Sequence, residues 1–240
     1  MKTLQKILIP TLISLVIGGI YLLSVWKQRQ NPGVIGQNEA TPAVNKDDVA
    51  VVRELFPQHF DDLKQFENTR VWMKNGYTMP YYPFGSGQVE FGKRVGFIPS
   101  AQPLDVKKIV KAAVPAKEDD SLEHGTRQAF AVFALPGDAK LFATPVGAMQ
   151  GEQEAYFTDA LFFYDDPHTI YDYWPKDVWA AIDAHQVKPG MSELQTRLAI
   201  GQKMHPEGET EGDRTVTYDQ DGKNWTVTYV KNRATAIKSE

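Results

Sequence analysis

Residues 215–230 read Thr-Val-Thr-Tyr-Asp-Gln-Asp-Gly-Lys-Asn-Trp-Thr-Val-Thr-Tyr-Val, and this stretch decides the fold of the C-terminal part of the chain. Apolar and polar residues alternate on both sides of Asp221-Gly222. Alternation with a period of two is typical of a half-buried strand, and Asp-Gly favours the tight turn of a hairpin. We therefore predict an antiparallel hairpin, followed by a third short strand over 234–237.

Two helices are predicted before this hairpin. The first covers 175–185, and the second begins after Ser192, whose hydroxyl can cap the helix, and ends at Gly201. Residues 202–213 are polar and contain glycine, which predicts a loop. The predicted order over 175–240 is therefore α-α-β-β-β.

The segment Val187-Lys-Pro-Gly-Met-Ser-Glu-Leu-Gln195, followed by Leu198, Gly201 and a strand that contains tryptophan, resembles the SmpA/OmlA family, also called BamE-like. The resemblance covers 175–240. It implies two helices packed on a three-stranded antiparallel sheet, in a binding or scaffold module of the Gram-negative bacterial envelope. The family is best known as a lipoprotein subunit of the outer-membrane protein assembly machine. This chain differs because it has no cysteine to carry a lipid and has a longer N-terminal half.

Residues 49–168 are predicted to form a β-rich domain, sheet-like or barrel-like, with one or two helices. Short apolar segments alternate with turns rich in glycine and proline, a pattern typical of small antiparallel sheets. Leu104–Val114 has apolar residues at helical spacing, which predicts a helix. Residues 77–84 contain two prolines and are predicted to form a loop, whereas 88–98 are predicted to form a hairpin. A short helix is predicted from 49 to 55.

The N-terminal run from Ile7 to Trp26 holds 20 residues without a charge. A helix of this length spans about 30 Å, the thickness of the hydrocarbon core of a bilayer. A cleaved signal peptide and a buried core helix are the alternatives, but the run is long for the first and has no polar face for the second. The residues predicted to lie in the bilayer include Ile7, Leu12, Val16, Ile20, Leu23 and Trp26.

The domain organisation that follows is an anchor over 1–28, a polar linker over 29–48, and two domains over 49–168 and 175–240. The predicted fold class is α+β with an N-terminal transmembrane helix. The usual orientation of a short N-terminal anchor predicts a single-pass inner-membrane protein whose body lies in the periplasm. The opposite orientation, with the body as a cytoplasmic adaptor, remains an alternative.

Composition excludes several classes of function. The chain has a net charge of −4, and its first 30 residues contain no acidic residue, so the remainder is more acidic still. Such a surface is unsuited to nucleic acid, whose phosphates need Lys and Arg. The absence of cysteine excludes disulfides, thiol nucleophiles and zinc sites with cysteine ligands. No nucleophile elbow or phosphate-binding glycine motif is present.

Asp165-Asp166-Pro-His168 is the densest polar cluster of the sequence. Carboxylate and imidazole groups can bind a divalent cation, so these three residues are weak candidates for a metal site. The same sequence is also typical of a turn. Asp183 and His185 are predicted to belong to the solvated face of a helix, because residues two apart do not face each other.

Loop aromatics are the remaining candidates. Tyr81, Tyr82, Tyr171 and Trp174 are predicted either to bind a partner or to complete small cores. We therefore predict a membrane-anchored envelope protein that acts as a binding or scaffold module in envelope or outer-membrane protein assembly. It would have a protein partner, no cofactor and no enzymatic activity. The alternative is a periplasmic hydrolase or metal-dependent enzyme that uses Asp165, Asp166 and His168.

Overall fold

The computed structural model describes residues 47, 50–116, 122, 126–150, 153–220 and 222–239. The chain separates into two compact units, Met1–Asp48 and Val49–Glu240, and the elements below lie in the second. Strand residues outweigh helical ones, 41% against 20%, and form two antiparallel sheets. The predicted α+β class is therefore wrong, because the described part of the protein is mostly β.

No helix in the described residues has both the length and the apolar character needed to cross a bilayer. The anchor predicted over 7–26, with Ile7, Leu12, Val16, Ile20, Leu23 and Trp26, lies outside the described residues, as does the linker over 29–48 except Asp47. The prediction of a single-pass inner-membrane protein is corrected by this finding, since the described part of the chain contains no membrane-spanning helix to support it.

The first sheet occupies the N-terminal part of the unit and has the strand order β3-β2-β7-β6-β5-β1-β9, with β4 paired to β2 and β8 paired to β7. Its strands are β1 (Arg70–Met73), β2 (Pro80–Gly85), β3 (Gln88–Val89), β4 (Gly96–Phe97), β5 (Pro103–Ala113), β6 (Arg127–Ala134), β7 (Leu141–Gln150), β8 (Gln153–Tyr156) and β9 (Phe162–Phe163). A 3-10 helix over Phe60–Phe66 packs on it through Leu63 and Phe66.

The central strand β6 is covered on both faces. Ala131 and Phe133 point into one core, and Phe130 and Val132 point into the other. A strand buried on both sides has a continuous apolar sequence rather than an alternating one. This explains why the sequence of β6 after Gln128 is an uninterrupted apolar run.

The predicted helix over Leu104–Val114 is wrong, because these residues form most of strand β5. Its register against β6 shifts between Val106 and Lys108, so one extra residue bulges from the ladder. The bulge changes the phase of the alternation, and Val106 and Ile109 therefore enter the same core although they lie three residues apart. Apolar residues at 106, 109, 110 and 113 imitate the spacing of a helix for this reason.

Three other local predictions also fail in the first sheet. Residues 80–85 form strand β2 rather than a loop. Pro80 and Pro83 are tolerated there because the partner strands β3 and β4 are each two residues long and leave much of the edge open. Strands β3 and β4 both pair with β2 and not with each other, so 88–98 is not a simple hairpin. Residues 50–58 have no regular secondary structure and are not helical.

The C-terminal sheet is a meander of four strands, β10 (Lys203–Glu207), β11 (Thr215–Gln220), β12 (Lys223–Val230) and β13 (Arg233–Ser239). The pairing of Gln220 with Lys223 confirms the hairpin predicted at Asp221-Gly222. The extra strand β10 lies in the predicted loop over 202–213. It is an exposed edge strand that contains Pro206, and its polar sequence therefore carries no strand signal.

Four helices connect and cover the sheets: α1 (Thr158–Leu161), α2 (Pro167–Ile170), α3 (Lys176–Asp183) and α4 (Glu193–Ile200). The predicted cap is confirmed, because the Ser192 hydroxyl accepts a hydrogen bond from the backbone N–H of Gln195 at 3.2 Å. The two sheets pack together within the unit. The backbone N–H of Gly76 donates to the carbonyl of Gly201 at 2.6 Å, and the Gln202 amide donates to the carbonyl of Ile98 at 3.1 Å.

Candidate functional site

A surface groove of about 450 Å³ lies between the C-terminal end of α3 and the β11–β12 hairpin. Helix α3 and the loop after it form one wall, and the two strands beside the turn form the other. The residues that line the groove are Ala184, His185, Gln186, Val187, Gln220, Lys223 and Trp225.

The helix wall is shaped by the way α3 ends. His185 adopts a left-handed backbone with a φ of 51°, and its N–H donates to the carbonyl of Ile182 at 2.9 Å. The ring nitrogen Nδ1 of His185 lies 3.2 Å from the backbone carbonyl of Ala199 on α4. A carbonyl can only accept, so Nδ1 carries the hydrogen and Nε2 is the acceptor of the neutral ring.

The strand wall contains a buried polar side chain, that of Gln220. Gln220 is 9% exposed, and its side-chain oxygen Oε1 is buried and has no hydrogen-bond partner among the residues that the structure describes. A buried acceptor without a donor costs about 1–3 kcal/mol. Trp225 lies on the neighbouring strand, is half-buried and packs against the second core. Lys223 is exposed and forms no ion pair with the residues that the structure describes.

The sequence did not predict this groove. Its residue His185 is predicted from the sequence to lie on a solvated helix face, not in a groove. Trp225 was predicted to lie in the hairpin, but nothing in an alternating strand indicates that one tryptophan lines a surface groove. Gln220 is one of many polar residues beside a turn, and only the three-dimensional structure shows that it is buried.

The predicted metal candidates do not form a common site. Asp165 pairs with Arg53 at 3.5 Å, whereas Asp166 caps α2 and accepts a hydrogen bond from the backbone N–H of His168 at 2.9 Å. Among the described residues, no group of three acidic or histidine side chains is arranged to hold a metal ion. The three residues lie on an exposed turn, which is the arrangement expected of a capped turn.

His168 instead forms a bridge between α2 and α3. Its Nδ1 lies 2.8 Å from Asp166, its Nε2 lies 3.2 Å from Asp183, and its ring stacks on Trp179 with the ring centres 4.0 Å apart. Carboxylates only accept, so both contacts together require a doubly protonated ring. Burial lowers the pKa of His168, but the hydrogen bonds to Asp166 and Asp183 outweigh it, and the pKa is raised above its ordinary value. Asp183 is exposed, as predicted for a solvated helix face, and its carboxylate also contacts His168.

We expect the His168 ring to titrate above the ordinary histidine pKa of about 6.5, as measured by NMR of the ring protons. Because the folded pKa is raised, the bridge stabilises the fold fully below pH ~6.5, and this contribution is lost as the pH rises through the folded value. His168→Gln should therefore cost up to about 1 kcal/mol at pH 5.5 and less at pH 9, since the ring is partly exposed. The double variant Asp166→Asn with Asp183→Asn should return the titration to the ordinary range. An unchanged midpoint in that variant would contradict the bridge.

Three of the four aromatics predicted to bind a partner are core residues. Tyr82 is fully buried, and Tyr171 and Trp174 are 5% exposed. Tyr171 and Trp174 stack with their ring centres 4.3 Å apart inside the second core. Tyr81 is partly buried and packs edge-on against Phe142 in the first core. Because they are buried, Tyr82, Tyr171 and Trp174 are not available to contact a partner. Their large rings fill the small cores instead.

Comparison with known proteins adds no relative. No family model matches the chain, no curated protein matches it, and no solved structure matches it. The resemblance of 175–240 to the SmpA/OmlA family therefore stays a prediction.

Proposed function

We propose that this protein is a binding module that holds an extended segment of a partner protein in the groove between α3 and the β11–β12 hairpin. The observation that carries the proposal is the buried, unpartnered Oε1 of Gln220 beside the half-buried ring of Trp225. The groove thus places an apolar surface beside a glutamine whose Oε1 is covered in the free protein and can accept a hydrogen bond once the side chain turns towards a ligand.

The acceptor favours a ligand with N–H groups. Native proteins rarely leave a buried side-chain oxygen unsatisfied, and each exception needs a specific reason. A peptide backbone supplies an N–H at every residue except proline, and an extended segment presents these groups at regular intervals. A partner segment that donates to Gln220 would recover the hydrogen bond that the isolated protein lacks.

The apolar surface supplies affinity. Trp225 and Val187 line opposite walls and are both half-buried, so a side chain inserted between them would lose its contact with water on two sides. Tryptophan is enriched among the residues that dominate binding energy at protein interfaces. The hydrolase alternative has no comparable support, since Asp165, Asp166 and His168 lie on an exposed turn and are engaged with structural partners.

Gln220→Leu provides the test because stability and binding should move in opposite directions. The substitution keeps the approximate volume and removes the unsatisfied oxygen, so we expect the free energy of unfolding to rise by about 1 kcal/mol in urea denaturation. Gln202→Leu is the matched control. Gln202 is also buried, but its amide donates to the carbonyl of Ile98, and its loss should lower the free energy of unfolding by about 1–2 kcal/mol.

Binding is measured by selecting random twelve-residue peptides against the immobilised full chain, with the peptides displayed at the C-terminal end of a phage coat protein so that their own C-termini are free. We expect the selected peptides to bind Gln220→Leu and Trp225→Ala at least tenfold more weakly than the wild type. Val230→Glu serves as a surface control, because Val230 is 50% exposed on β12 and does not line the groove. Selected peptides that bind all variants equally would place the binding site elsewhere and overturn the proposal.

A further inference from the structure

Three groups of the groove set the chemistry of its ligand. Gln220 contributes an oxygen acceptor without a donor, and His185 contributes Nε2 as a second acceptor when its ring is neutral. Lys223 contributes a cation at the exposed start of β12. The ligand therefore needs N–H donors and a negative charge close to an apolar group.

Lys223 carries the positive charge of the groove lining. The chain carries a net charge of −4, and the neighbouring Lys188 is already paired with Asp177. Lys223 is exposed at the start of β12 and forms no ion pair with any described residue. An ammonium group beside a groove with an aromatic wall favours a carboxylate, since a charge-assisted hydrogen bond is stronger than a neutral one.

The end of a polypeptide combines these features in one residue. The last residue of a peptide bears a carboxylate, a backbone N–H and a side chain on a single Cα, so the three groups lie close together. An internal Asp or Glu uses its own side chain to carry the carboxylate, so the apolar group must come from a second residue. Capture of a terminal carboxylate is an established mode of peptide recognition.

We infer that the groove recognises the free C-terminal end of a partner polypeptide whose last residue is apolar. The carboxylate pairs with Lys223, the last backbone N–H donates to Gln220, and the last side chain packs between Trp225 and Val187. This inference rests on the proposed function, because it specifies which part of a partner protein enters the same groove.

The test uses the peptides selected above, resynthesised with a fluorescent N-terminal label and with either a free or an amidated C-terminus. Their affinities for the full chain are measured by fluorescence anisotropy. We expect amidation to weaken binding about tenfold, the effect of losing one hydrogen bond to a charged group. Lys223→Gln should weaken the free-acid peptide to the same degree and leave the amidated peptide unchanged. Lys238→Gln, an exposed lysine on β13 that does not line the groove, should change neither.

The outcomes separate the two proposals. Equal binding of free and amidated peptides to the wild type, still lost in Gln220→Leu, would overturn the C-terminal inference and leave the binding module intact. An amidated peptide with an internal glutamate that binds as tightly as the free acid would also overturn it. Peptides that bind independently of both Gln220 and Trp225 would overturn the proposed function itself.

Discussion

Replacing Glu193 by alanine is expected to lower the free energy of unfolding by about 3–5 kcal/mol. Glu193 begins α4 and is 1% exposed, yet its carboxylate is fully engaged. Oε1 accepts a hydrogen bond from the Arg214 guanidinium at 2.6 Å, and Oε2 accepts one from the backbone N–H of Gly212 at 2.8 Å. The same residue joins helix α4 to the loop before β11.

The size of the effect follows from burial. Removing one partner of a buried ion pair leaves the other charge desolvated and unpaired, which costs far more than the pair contributes on its own. Arg214 retains only 16% side-chain exposure, so water cannot easily replace the lost carboxylate. The pKa of Arg214 is raised by its hydrogen bond to Glu193, which shows that the cationic form is the one stabilised.

Asp177→Ala is the matched control for this prediction. Asp177 also pairs with a basic residue, Lys188, but its side chain is 75% exposed. Exposed ion pairs contribute little, so the control should lose far less stability than Glu193→Ala. Both variants are compared with the wild type by urea denaturation at pH 7. A loss below about 1 kcal/mol for Glu193→Ala would mean that the buried pair is replaced by solvent, contrary to the structure.

The sequence predicted those elements whose signal is local. Ser192 and Gln195 form a capping box within four residues, and the Asp221-Gly222 turn joins strands that alternate in polarity. These features need no knowledge of the rest of the chain, since a cap or a two-residue turn is completed by its neighbours. The second helix and the hairpin were therefore placed correctly.

The features that the sequence did not predict depend on distant contacts. Strand β5 has the spacing of a helix because of a bulge, and the bulge is defined by its pairing with β6 about 25 residues away. The candidate groove depends on His185 and Gln220 facing each other from separate elements. The contact of His168 with Asp183 likewise joins residues of two helices. No periodicity within a short window contains such information.

The segment over 50–58 also depends on distant contacts, because it has no helix or strand of its own. It is held to the first sheet by Asp159 of α1. The two carboxylate oxygens accept hydrogen bonds from the backbone N–H groups of Leu55 at 2.9 Å and Phe56 at 2.7 Å. The hydroxyl of Tyr164 also donates to Asp159 at 2.7 Å. One side chain thus supports a segment that lies more than one hundred residues earlier in the chain.

We expect Asp159→Ala to lower the free energy of unfolding by about 2–4 kcal/mol, because three hydrogen bonds to a charged acceptor are lost and the Tyr164 hydroxyl is left without this acceptor. The effect should also be local. Hydrogen exchange of the Leu55 and Phe56 amides should become faster in the variant, as measured by mass spectrometry of peptides covering 50–58. Asp61→Ala, which removes an exposed carboxylate paired with Lys64 three residues away, should leave the stability almost unchanged.

The stability difference between wild type and Asp159→Ala should depend on pH in one direction. Burial of Asp159 raises its pKa, but the hydrogen bonds from Leu55, Tyr164 and Phe56 outweigh burial, and the pKa lies below its ordinary value. A carboxyl group whose folded pKa is depressed stabilises the fold above the unfolded value of about 3.9 and loses this contribution as the pH falls through the folded value. The two proteins should therefore differ by the full amount at pH 6 and converge only as the pH falls through the folded pKa of Asp159, which lies below the ordinary value. A difference that stays constant over this range would show that packing of the side chain, and not its charge, holds the segment in place.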